Sequence, residues 1–462
     1  MKPKYFLALG LLVLGLGSCG ESFFEQYPSN NITEGNFYKT DDDFNQGVVA
    51  CYAKLKTQMS FHLTEIGYRG DENVLESMAV STQNRYDIDH FAETANNGIL
   101  NDIWNAWYNG IYRCNDVLDH MTGAKIANYD KYRGECLFLR SWWYFNLYRV
   151  FGVVPITRTV VTPAAAKLIP RCTEEEMYTL LTEDLAEAAR LLPPTPGPEK
   201  ARVANIAAYT LLAKVYLTFG KPAEAKTALE EAMKNTSYGL ESTTKKVFDV
   251  GNKMNREIIF ALYYNKTNDN GHGYWYSANT DVLADINNPT PTFKAIYDSE
   301  KDNRLPLISS YTKIKDNLFA MTKWYDTYDA TYTTQVGNDF PHLRYADVVL
   351  MYAEALAESG GSLDDALVWL NKTRVRAGLD ELTTDEVKSL AEFRRELADE
   401  RGREFALEGH RWFDLVRLGL AVDYFREMGY SLDSHNLIFP IPQNQIEIVN
   451  NPSILWQNPG FN

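Results

Sequence analysis

Apolar positions recur along this chain mainly at helical spacing. Phe44, Val48, Tyr52 and Leu55 mark one face of a first helix. Thr40 ahead of Asp41, Asp42 and Asp43 sets its start, a hydroxyl cap with acids where the positive end of the helix dipole favours them. The rhythm fails over 61–100, where Gly, Asn, Asp, Ser and Tyr accumulate, and this composition predicts long structured loops. Such loops are uncommon in a compact body unless they bind something. Helices are expected again over 101–121 and 132–151. The second is apolar on nearly every face (Leu137, Phe138, Leu139, Trp142, Trp143, Tyr144, Phe145, Leu147), which predicts a central buried helix. A long connection over 152–172 follows. Thr173 ahead of Glu174, Glu175 and Glu176 then caps a helix to Leu192, and Pro193, Pro194, Pro196 and Pro198 make a stiff link.

Residues 203–235 carry a tetratricopeptide-type pattern, with Leu212, Ala213, Tyr216, Ala225, Leu229 and Ala232 at the expected offsets. Its small residues let two helices approach, and Tyr216 fills the groove between them. A second copy at 345–376 places Ala353, Leu356, Ala366 and Leu370 in the same roles. The segments 44–56 with 101–121, and 132–151 with 174–192, read as two diverged copies. The expectation is a mainly α fold: four helical pairs in a curved scaffold, packed against a loop-rich half with a few short strands. Residues 240–340 supply that half, opening on a strand-like run from Glu257 to Tyr264. A last helix is expected over 394–417, with Arg395 and Asp399, Glu408 and Arg411, and His410 and Asp414 spaced for pairing along it.

The N-terminus changes the compartment. Lys2 and Lys4 precede an apolar run from Tyr5 to Gly17, too short to span a bilayer, so it reads as a signal peptide. The run ends in Leu16-Gly17-Ser18-Cys19, a lipobox, which makes Cys19 the expected site of lipidation. Residues 1–18 are thus a leader. Residues 19–240 hold the first three helical pairs, and 241–462 the loop-rich insertion and the fourth pair, in one compact unit. With 46 basic and 61 acidic residues the net charge is −15, which excludes nucleic acid and disfavours other polyanions.

Little in the chain suggests metal or cofactor chemistry. Cys51, Cys114, Cys136 and Cys172 show no CxxC spacing, and buried free thiols are expected. Spacing does not decide whether Cys51 and Cys114 pair. The seven histidines are scattered, and no HExxH, calcium loop, GxSxG or phosphate-binding loop is present. No metal and no cofactor are expected. A Glu408–His410–Asp414 catalytic cluster is disfavoured, because adjacent helical residues diverge.

Two stretches combine flat rings with amides and charges, the combination that sugar recognition needs. One is Ser81 to His90, with Asn84, Arg85, Tyr86 and Asp87. The other is Tyr274, Trp275 and Tyr276, flanked by glycines. Tyr68, Tyr328 and Tyr332 are weaker candidates on the same logic.

Several runs together resemble one family. They are ECLFLRSWWYFNL at 135–147, FGVVP at 151–155, RYADVVLMYAEA at 344–355, NKTRVRAGL at 371–379, ERGREFALEGHRWFDL at 400–415, and PIPQNQI and QNPGF near the C-terminus. They are similar to the signatures of SusD-like (RagB/SusD) outer-membrane nutrient-binding lipoproteins of Bacteroidetes-type bacteria. The resemblance implies a non-enzymatic binding protein that captures oligosaccharide and sits as a lid over a SusC-like TonB-dependent barrel. It also implies a ligand face built from the loops after the first helix and from the mid-chain insertion. Some members take peptides instead, and a surface glycosidase with two carboxylates across an aromatic cleft is the alternative from another class. One departure is Gly20-Glu21-Ser22 after the lipid cysteine, less acidic than surface-export signals often are.

Overall fold

The computed structural model describes residues 37–72, 83–197, 200–264, 277–279, 289–315, 318–326 and 337–461. The first helix, α1 (Asp41–Gly67), begins where the cap predicts. The Asp43 N–H donates to Thr40 Oγ1 at 3.2 Å, and the Thr40 N–H to Asp43 Oδ2 at 2.7 Å. The helix runs well past the point where the apolar rhythm faded. His62, Leu63, Glu65 and Ile66 are all buried, so tertiary packing extends it through polar sequence that reads as loop.

The scaffold continues through α2 (Gln83–Asp89), α3 (Gly98–Met121), α4 (Tyr129–Phe151), α5 (Glu174–Leu191), α6 (Asn205–Thr218), α7 (Pro222–Met233), α8 (Tyr345–Glu358) and α9 (Leu363–Arg376). Asn97 caps α3 through Ile99 N–H at 3.0 Å, and Thr173 with Glu176 forms a second reciprocal cap on α5. Helices α1 with α3, α4 with α5, α6 with α7, and α8 with α9 pack as four pairs, and α3 on α4, α5 on α6 and α7 on α8 join successive pairs. This is the expected arrangement. All eight apolar residues singled out in α4 are buried. Where α3 meets α4 the indole of Trp143 rests on backbone: a Cβ at Gly110 would lie 2.2 Å from its ring.

The strand expected over 257–264 is β1 (Ile258–Leu262). Two short strands, β2 (Ser277–Asn279) and β3 (Tyr311–Lys315), flank β4 (Leu318–Met321), and β5 (Phe340–Arg344) returns antiparallel to β1. Every residue of β1 and β5 is buried. β5 runs directly into α8, and the Tyr345 N–H donates to the Glu257 carbonyl at 2.8 Å. The small sheet therefore ties the insertion to the fourth pair.

The helix expected over 394–417 is broken. It is α10 (Leu390–Glu404) followed by α11 (Arg411–Arg417), with Leu407 at φ 64° and Gly409 at φ 76° between them. Two further helices, α12 (Ala421–Glu427) and α13 (Gln443–Val449), complete the chain. The charges that looked like pairs along one helix find other partners, and the break itself separates Glu408 from Arg411. Arg395 reaches Glu427 at 3.6 Å, Glu408 accepts from Lys323 at 2.7 Å, and Arg411 donates to Asp71 at 2.9 Å. His410 stacks on Phe405, and Asp414 accepts from Arg401 at 2.7 Å.

These contacts belong to a buried ionic network. Arg344 donates to Glu257 at 2.6 Å, to Glu404 at 3.0 Å and to Glu408 at 2.8 Å. Arg304 donates to Glu400 at 2.7 Å and Glu404 at 3.2 Å, while Arg376 reaches Glu257 at 2.8 Å and also pairs with Glu404. Burial pushes the Glu404 carboxyl up, but the Arg376, Arg344 and Arg304 guanidiniums outweigh it and hold it well below the usual carboxylate range. Cys51, Cys114, Cys136 and Cys172 are buried free thiols.

Two substitutions test this packing. Gly110→Ala should lower stability in urea by about 1–3 kcal/mol despite its better helix propensity, because Trp143 must move; an unchanged midpoint would refute the close approach. Arg344→Met, which leaves three buried carboxylates short of a cation, should cost about 3–5 kcal/mol. A loss under about 1 kcal/mol in the same unfolding measurement would show the network to be dispensable.

Candidate ligand-binding site

The first predicted stretch is helical, not a loop. Helix α2 is held from below by buried Ile88 and by Phe91, whose ring packs against Trp412, Phe425 and Tyr430 at centroid distances of 5.1–5.9 Å. The Arg69 guanidinium lies over the same Phe91 ring and pairs with buried Glu93. Asn97 Nδ2 donates to the Asn84 carbonyl at 2.9 Å and pins the other end. Two turns rich in Asn, Asp and Tyr have weak helix propensity. Tertiary anchors, not local preference, make this helix.

Anchored so, α2 turns Asn84, Arg85 and Tyr86 outward. Asn84 is exposed, and Arg85 and Tyr86 are partly exposed. Arg85 Nε donates to Glu65 Oε1 at 3.2 Å, across to the last turn of α1. Burial pushes the Glu65 carboxyl up to about 7, although Arg85 pulls the other way. The Tyr86 ring stacks on His90 with centroids 3.8 Å apart and planes 17° from parallel. His90 Nδ1 in turn lies 3.0 Å from the Tyr86 carbonyl oxygen and 3.2 Å from Asp89 Oδ2. Tyr430, partly exposed and packed on Phe91, adds a further ring beside this rim.

The structure therefore brings Asn84, Arg85 and Tyr86 together and supplies Glu65, His90 and Tyr430 as neighbours. A guanidinium fork, an amide and a ring stack can meet the hydroxyls and the apolar face of a neutral sugar, with the buried Glu65 carboxyl holding Arg85 from below. Because His90 covers one face of Tyr86, a ligand meets the other face or the edge. Glu65 and Tyr430 were not among the sequence candidates. Glu65 fell in the stretch that reads as loop, and Tyr430 arrives from over 300 residues away. Tyr68 is only 2% exposed and offers no ring face, so that candidate is corrected. Tyr274, Trp275, Tyr276, Tyr328, Tyr332 and Cys19 lie outside the described residues.

The acids beside His410 are held by cations, and Lys214 Nζ lies 3.4 Å from His410 Nδ1. The His410 ring is buried against Phe405, Glu408 is held by Arg344 and Lys323, and Asp414 by Arg401 and Arg417. Among the described residues no cluster of three or more His, Cys, Asp or Glu is arranged to hold a metal ion.

Comparison with known proteins agrees with this architecture. The model of the SusD family matches residues 302–461, and a SusD-like model described as "Starch-binding associating with outer membrane" matches residues 27–217. SusD-like protein P2 of Formosa agariphila is 25% identical over 511 aligned residues, covering 99% of this chain and 100% of that one. A SusD superfamily protein of Bacteroides vulgatus has the same fold, with a TM-score of 0.77, 24% identity, and 92% of this chain covered against 100% of that one. A laminarin binding SusD-like protein superposes with a TM-score of 0.76 at 24% identity over 92% of this chain and 100% of its own. The chain belongs to the SusD-like family.

The raised Glu65 carboxyl has a measurable consequence. An acid whose folded pKa of about 7 exceeds its unfolded value near 4.3 holds an extra proton when folded, so stability falls as pH rises from about 4.5 to 7 and is level above. Glu65→Gln should remove about 1–3 kcal/mol of that decline between pH 5 and pH 8 in urea unfolding. An identical slope in the variant would place the titration elsewhere.

Proposed function

We propose that this chain is a lipid-anchored glycan-binding protein of the outer membrane, facing the medium, which captures oligosaccharide and passes it to a SusC-like TonB-dependent barrel. The observation that carries the reading is the Asn84–Arg85–Tyr86 rim. It sets a charged pair and a ring stack at a surface fixed from below by Phe91 and Arg69. The family description, starch-binding and associated with the outer membrane, and the laminarin-binding neighbour support a neutral glucan-type ligand. The excess of acid over base argues against a polyanionic one.

The ion pairing of the acids in one charged run supports binding without turnover. A glycosidase needs two carboxyls facing a common cleft, one of them free to give a proton. The carboxylates of the 400–415 run are instead consumed in ion pairs to Arg304, Arg344 and Arg401. In this reading Cys19 carries the anchor, and Tyr274, Trp275 and Tyr276 remain ligand candidates by residue type alone.

Titration calorimetry of the mature chain against starch- and laminarin-derived oligosaccharides tests the reading. Arg85→Ala and Tyr86→Ala should each weaken binding about tenfold, the loss of roughly 1.4 kcal/mol per contact. Product analysis after long incubation should show intact glycan. Unchanged affinity in both variants removes the rim from the site, and turnover that depends on a single carboxylate ends the binding-only reading.

A further inference from the structure

A second surface feature lies along α3. Trp104, Tyr108 and Tyr112 recur every four residues on one face of that helix. With Val161, Ile448 and Leu455 they line a cleft of about 330 Å³. Several of its polar atoms are already used. Tyr108 donates to the Pro155 carbonyl at 2.7 Å, Asn115 donates to Thr157 at 3.0 Å and accepts from Arg140, and Gln445 donates to Asn105 at 3.1 Å. Lys167 is the one charged side chain in the lining. Most of the remaining lining is apolar or aromatic, which suits an apolar occupant.

The rim is apolar as well. Leu168 is 72% exposed, and Tyr112, Val160, Ile448 and Trp456 are each about two-fifths exposed. Each of these either lines the cleft or stands next in sequence to a residue that does. Exposed apolar groups gathered around a cleft mark a contact with a protein or a membrane. The position of the chain's entry decides between them. Tyr38, near the first described residue, donates to Asp116 at 2.8 Å and stacks on His120. Asp116 is one turn of α3, about 6 Å, beyond Tyr112. Asp119 receives the Val160 N–H at 2.7 Å. The leash from Cys19 therefore joins the body at the end of the cleft.

We propose that this face rests on the lipid surface to which the anchor holds the chain. Leu168, Ile448 and Trp456 enter the boundary between headgroups and acyl chains, and the cleft receives apolar lipid. The proposal rests on the lipid-anchor reading of Cys19. Trp and Tyr suit that boundary because one part of each ring system is apolar and the other hydrogen-bonds to water. A second apolar contact also reinforces an anchor and fixes the orientation of the body it holds. The net charge of −15 makes uncharged lipid the favoured surface and anionic lipid the poorer one.

The test uses the mature chain carrying Cys19→Ser, so that no acyl group contributes, floated with phosphatidylcholine vesicles. The unmodified surface should bind and shift tryptophan emission to the blue. Leu168→Asp with Ile448→Asp should reduce the bound fraction about tenfold. Val368→Asp, an exposed apolar position on α9, should leave it unchanged. Vesicles with a third of their lipid as phosphatidylglycerol should bind less at low salt. Circular dichroism of each variant checks that it has folded. No vesicle binding, or equal binding by the double variant, overturns the proposal. So does a dimer in sedimentation velocity that Leu168→Asp dissolves, which would assign the face to a second copy. So does binding that appears only when residues 20–36 are removed, which would assign the cleft to the chain's own leash. Mass spectrometry of Cys19 in the native protein tests the anchor separately, so the two readings fail independently.

Discussion

The buried contact on which the rest of this molecule depends is the cluster of guanidiniums and carboxylates around Arg344 and Glu404. Arg344 sits at the junction of β5 and α8, Glu257 at the entry to β1, Arg376 at the end of α9, and Glu404 at the end of α10. A buried charge with one partner is costly, and removing that partner is worse than never having had the pair. Here each ion has two or three partners, so no single geometry has to repay its desolvation. The chain connections that meet at this point are therefore placed together. The insertion can be long and irregular because its two ends, β1 and β5, are fixed on the same cluster.

The helical pairs were legible in the sequence because their information is local. Thr40 with Asp43, Thr173 with Glu176, and the alanines of 203–235 and 345–376 act within a turn or between adjacent helices. The ionic cluster was not. Glu408 and Arg411 stand three apart, which reads as a pair on one helix, yet their partners are Arg344 and Asp71. Spacing along one segment carries no information about a partner 340 residues away. The break that separates them was half visible: Gly409 permits a positive φ, whereas Leu407 adopts one without any signal in its identity.

The ligand rim shows the same division. Residue types marked Asn84, Arg85 and Tyr86 as surface groups, and they are exposed or partly exposed, but composition misassigned their backbone. Polar residues lower helix propensity by tenths of a kilocalorie each, and a few buried anchors such as Ile88 and Phe91 override that sum. Tyr68 failed as a candidate for the converse reason. It lies one residue beyond the end of a helix that the sequence appeared to terminate earlier, and burial follows from that longer helix.

The cluster and the rim are mechanically connected. Glu65, the acceptor for Arg85, lies in the last turn of α1. Within seven residues the same chain reaches Asp71, which pairs with Arg411, and Glu72, which accepts the Leu407 and Arg411 N–H groups. Arg69 between them holds Phe91 and Glu93 beneath α2. The strained turn at 405–410 thus grips the end of α1, and the end of α1 sets the position of the rim. This explains why so many charged side chains of the 400–415 run are buried rather than exposed: their work is to hold the surface that carries Asn84, Arg85 and Tyr86, several contacts away from it.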